Sequence, residues 1–159
     1  MEDLSLILWR ERELLETLLY RLEVEKLVLA SGSSRWLATS AREVEAVLDA
    51  LRETELVRAV AADEAASKIG MASNPSLRAL AEAVDEPWRS ILLDHREAFV
   101  NYMQEITAIA AANRELLTSG QMAARETLLG LTEGASTTYS QDGSAAARDS
   151  SSRLVDQSI

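Results

Sequence analysis

One apolar spacing limits what this chain can become more than anything else in it: it runs for 45 residues, from Pro87 to Leu131. Trp88, Leu92, His95, Phe99, Tyr102, Ile106, Ile109, Asn113, Leu116, Gly120, Ala124, Leu128 and Leu131 follow one another at steps of four and three. Such steps keep side chains on one stripe of an α-helix. As one helix the stretch would measure about 67 Å at roughly 1.5 Å per residue, more than a compact single-core domain needs. The spacing therefore predicts an all-α, elongated antiparallel bundle of long helices, three to four in number.

The rest of the chain agrees with that reading. Leu4, Leu8, Leu15, Leu18, Leu22 and Leu29 form a heptad-like seam over Glu2 to Ala30, with Glu11 and Glu25 in two of its slots. Ser31-Gly32-Ser33-Ser34 stops that helix and offers hydroxyls to cap the next. A second helix is expected from about Arg35 to Ile69, with Leu37, Val44, Leu48, Leu51, Val57, Val60 and Ile69 apolar and an Ala-rich stretch from Ala59 to Ala66. Small side chains there either permit close helix approach or weaken the packing. Gly70 is the expected C-terminal cap, and Asn74-Pro75 the start of a short helix reaching about Val84.

Composition closes off other architectures. Aromatics are 4% of the chain, with two Pro and six Gly, too few turn residues for an all-β fold of this size. The boundary of the bundle is expected at Leu131. Residues 132–159 hold seven Ser and no heptad, and so read as a flexible tail that cannot offset a chain entropy of about 1–2 kcal/mol per residue. Tyr139, beside the Asp142-Gly143 turn signal, is a lone aromatic in that tail.

Charge and motifs limit the chemistry. A net charge of −10 without a Lys/Arg cluster argues against nucleic acid and anionic membrane surfaces. No stretch is apolar enough to insert in a membrane, and the acidic N-terminus is unlike a signal peptide, so a soluble, cytoplasmic protein is expected. With no Cys, no GxGxxG, P-loop, HExxH or GxSxG, and a single His, neither enzyme nor metal or cofactor site is expected. His95 is the one catalytic candidate. It falls on the apolar seam and is followed by Arg96, Glu97, Ala98 and Phe99, not by the Lys and Gly of phosphotransfer domains, so a structural imidazole is the reading preferred. Asn113 places an amide on the same seam, either to set helix register or to anchor an incoming helix.

The segment Asn113-Arg114-Glu115-Leu116-Leu117, after a long helix that begins near Pro87-Trp88 and before the run Thr127-Leu128-Leu129-Gly130-Leu131, resembles the core of the FlgN family of flagellar export chaperones. Tyr139 with Gly143 resembles the short Tyr-containing stretch downstream of that helix in the family. The resemblance covers most of residues 4 to 143. It implies a cytoplasmic, non-catalytic helper of flagellar type III secretion that binds the terminal helices of hook-filament junction proteins, prevents their premature assembly and delivers them to the export gate. Carried over by position, it implies client binding by Asn113, Leu116, Leu117, Leu128 and Leu131, and contact with the export gate by Tyr139. From the residues alone, the apolar members of that set read first as bundle core. Two other classes remain as alternatives: a histidine phosphotransfer or sensory four-helix bundle using His95, and a coiled-coil scaffold pairing with itself as a homodimer.

Overall fold

The structure of the protein, a computed structural model, describes residues 1–136. It is a helical bundle with four helices and, among the described residues, no strand: α1 (Glu2–Ala30), α2 (Ser34–Lys68), α3 (Leu77–Ala83) and α4 (Trp88–Ser136). The chain divides into two units, Met1–Thr118 and Ser119–Ile159, with the division inside α4.

In the first unit α1 and α2 form an antiparallel hairpin. Gly32, at φ 66°, takes the left-handed conformation that ends α1, and its N–H donates to the Leu29 carbonyl at 3.1 Å. Ser33 occupies the N-cap of α2, but its side chain makes no capping bond. Ser31 Oγ donates instead to the Val28 carbonyl at 2.8 Å, so the serines finish α1 rather than start α2. Two ion pairs cross the hairpin, Arg58–Glu11 at 2.9 Å and Arg21–Glu43 at 2.9 Å. Their order along the two helices confirms the antiparallel run.

Two apolar clusters fill this unit. The first joins Leu4 and Leu8 of α1, Ala62, Ala65 and Ala66 of α2, Leu80, Ala81 and Val84 in and after α3, and Leu92 of α4. The Ala-rich stretch is therefore a close-approach surface: Ala66 is fully buried where α3 and α1 converge, leaving no room for a larger side chain. This shifts the buried row of α2 away from the aliphatic residues. Val57, Val60 and Ile69, expected on the apolar face, are exposed. The second cluster holds Leu15, Leu18 and Leu22 of α1 with Ile106 of α4, flanked by Val44, Leu48 and Leu51 of α2.

The start of α3 also differs from expectation. Asn74 sits at φ 59°, outside the extended conformation an N-cap needs, and its N–H donates to the Asp63 carboxylate. Ser76 is the cap instead, its Oγ accepting from the Ala79 N–H at 3.1 Å. α4 begins one residue after Pro87, with the Glu86 carboxylate accepting from the N–H and hydroxyl of Ser90. It continues past Leu131 to Ser136.

Candidate functional site

The seam of α4 in the first unit is consumed by its own fold. Leu92, His95, Ile106 and Asn113 are buried, and Phe99, Tyr102, Ile109 and Leu116 half-buried. α1 runs parallel to α4 beneath them. The amide of Asn113, 5% exposed, donates to the Leu22 carbonyl at 3.0 Å and to the Glu25 carboxylate at 2.9 Å. Asn113 thus fills the polar slot that Glu25 leaves in the α1 seam, and Arg58 fills the one left by Glu11.

Glu25 and Asn113 are 88 positions apart. The apolar spacing of α4 continues into the second unit. From Leu117 through Thr132 every residue is exposed, with Leu117 at 41%, Leu128 at 64% and Leu131 at 65%. In the second unit Ala124, Leu128 and Leu131 fall at steps of four and three on one face of the helix, and Met122 and Leu129, seven apart, form an adjoining exposed stripe.

The residues singled out by sequence therefore part company. Asn113 is locked into the α1–α4 contact, Leu116 is half-buried beside it, and Leu117, Leu128 and Leu131 are open to solvent. Tyr139 lies outside the described residues. Met122 and Leu129 are exposed and stand off the main seam, with a seven-residue spacing of their own. An apolar groove of about 660 Å³ also lies on α4, lined by Phe99, Val100, Met103, Gln104, Thr107 and Ala108. Val100 and Met103 are off-seam residues with no expected role.

His95 has no surface. It is 0% exposed, with the Trp9 ring edge-on at 5.0 Å between centroids and Phe99 tilted at 6.2 Å. Arg12 stacks on Trp9 at 4.7 Å and pairs with Asp94 at 2.7 Å, lying over this aromatic nest. Burial, helped by the Arg12 charge and opposed by Asp94, pushes the His95 pKa below its ordinary value, so the ring is neutral at pH 7. Neither ring nitrogen has a hydrogen-bond partner. A phosphoryl donor cannot reach either nitrogen in this packing. Glu11 is shifted the other way: burial raises its pKa, Arg58 opposes and Glu55 adds to the rise. Among the described residues no cluster of three His, Asp or Glu side chains could hold a metal ion, and no helix is long and apolar enough to cross a membrane.

Compared with known proteins, the chain matches over residues 1–147 the family model described as FlgN protein. No curated protein and no solved structure matches it.

Proposed function

The chain belongs to the FlgN family, which gives it a general role as a flagellar export chaperone, and from that premise we propose that it shields the terminal helix of a hook-filament junction protein on the exposed apolar face of α4. The observation that carries this reading is that the apolar spacing, buried at Ile106 and Asn113 and half-buried at Leu116, is exposed at Leu128 and Leu131. An amphipathic client helix laid on Leu128 and Leu131 would cover the leucines that the second unit leaves exposed, and Leu117 is likewise open in the first unit. Covering a leucine is worth about 1.5–3 kcal/mol, so a few such contacts give useful and reversible affinity. Asn113 and Leu116 hold α4 on α1 and so position the start of this face. While covered, the client helix cannot polymerise prematurely. Tyr139, outside the described residues, contacts the export gate and so delivers the client in the cytoplasm.

The test is calorimetric titration of the full chain with a peptide of the terminal helix of a junction protein. Saturable binding is expected, weakened about tenfold or more by Leu128→Ser with Leu131→Ser. These exposed sites leave helix content unchanged. Equal affinity in the double variant would move the client elsewhere, and no binding at all would end the junction-protein reading. Light scattering separates the scaffold alternative, which requires a homodimer indifferent to the peptide.

A further inference from the structure

We propose that the cleft between α3 and the first turns of α4 is a second docking site, which takes an acidic polypeptide segment by pairing its carboxylates with Arg89 and Arg96 and seating an apolar side chain on Leu93.

The cleft measures about 490 Å³ and is lined by Arg78, Ala81, Glu82, Arg89, Leu93 and Arg96. The chain as a whole carries −10 with 16 basic residues, yet three of those arginines line this one cleft against a single carboxylate. That carboxylate is already engaged: Arg78 Nε donates to Glu82 at 2.8 Å, an exposed pair one helical turn apart on α3. Arg96 is left without a carboxylate, and Arg89 has near it only Glu86, whose carboxylate already accepts from Ser90. Arg89 Nε donates to the Ala81 carbonyl at 3.3 Å, one of the carbonyls that the short α3 cannot bond within itself, and this anchors the guanidinium while leaving its terminal nitrogens unused. Arg96 is exposed and makes no ion pair among the described residues.

Geometry selects the ligand. Arg89 and Arg96 are seven apart on α4, two turns, and so about 10 Å apart along the axis on one face, with Leu93 between them and 43% exposed. A helix with two acidic residues seven apart and a Leu between them matches all three positions. Planar guanidinium forks suit carboxylates in paired hydrogen bonds. A free phosphate would leave Leu93 and Ala81 facing water. The site goes beyond the chaperone reading, since it lies on the first unit and uses none of the exposed α4 leucines assigned to the client.

The experiment is fluorescence anisotropy of the full chain with a labelled helical peptide carrying Glu at two positions seven apart, Leu between them and otherwise neutral residues. Saturable binding that weakens as salt is raised is expected, with a loss of about tenfold in Arg96→Gln and a further loss when Arg89→Gln is added. Arg96→Gln is the deciding variant, because Arg96 supports no other contact and the fold should persist by circular dichroism. A Gln-for-Glu peptide that binds equally, or displacement by equimolar inorganic phosphate, would overturn the proposal. So would failure to bind. Junction-protein binding should be unchanged in Arg96→Gln; its parallel loss would show that the two sites are one.

Discussion

The Asn113 amide of α4 donates to the main-chain carbonyl of Leu22 on α1 at 3.0 Å, and the same nitrogen reaches the Glu25 carboxylate at 2.9 Å. One buried amide therefore sets the lengthwise alignment of the two helices. A side chain displaced by one turn would leave the buried amide without a partner and the half-buried Glu25 carboxylate without its donor. Asn113→Asp should lower the unfolding free energy by about 2–3 kcal/mol, because it buries a carboxylate against the half-buried Glu25 and sets an acceptor against an acceptor. Asn113→Leu should cost less, about 1 kcal/mol, because it removes the donor to Leu22 and Glu25 without adding a charge, and should broaden the alignment of α4. Urea unfolding measures the first effect, and cysteine cross-linking between α1 and α4 the second.

His95 makes stability depend on pH with a definite sign. The folded state keeps the imidazole neutral, while the unfolded chain takes up a proton near the ordinary value of 6.5. The unfolded state then binds more protons, and stability falls as pH drops below 6.5. Glu11, with a raised pKa, contributes in the opposite sense on acidification. His95→Leu retains Glu11 and so isolates the histidine: urea midpoints for the variant should be equal or higher at pH 7, and the gap should widen towards pH 5.5. Both nitrogens are unbonded, so nothing polar is lost. A variant with the parent's pH slope would remove the assignment.

The two kinds of alanine in α2 should respond differently. Ala66→Leu, at a fully buried position between α1 and α3, should destabilise by about 1–3 kcal/mol through overpacking. Ala59→Leu, at an exposed position seven residues earlier, should change stability by no more than about 0.5 kcal/mol. Thermal unfolding of the pair is the measurement.

Tyr139→Ala should leave both helical content and client-peptide affinity unchanged and reduce secretion of junction proteins by living cells. Normal secretion by the variant would retire the gate contact.

Much of the helical layout could be read from spacing. The breaks at Gly32 and Gly70 fell where steps of four and three gave way to small residues, and the structure puts both glycines at positive φ. Less legible was which polar residue caps which helix: Asn74 and Ser76 are both good cap formers, and only the Asp63 carboxylate bound to the Asn74 N–H decides between them. Of the candidate site, Leu128 and Leu131 were visible as apolar seam positions, but nothing in their pattern differed from Leu92 or Ile106, and Leu117 came only from the family resemblance. Arg78, Arg89 and Arg96 are scattered singly in the sequence, and only the return of α3 against α4 lines one cleft with them.

Periodicity alone thus settled that the chain is helical and which stripe of each helix is apolar, because side-chain direction follows from the local turn of the backbone. Whether a stripe is covered is a different matter. It depends on which other helices pack against it, as α1 packs against α4 at Asn113. Contacts between residues about 90 positions apart, such as Asn113 with Leu22, align the helices and so decide which leucines are core and which remain open.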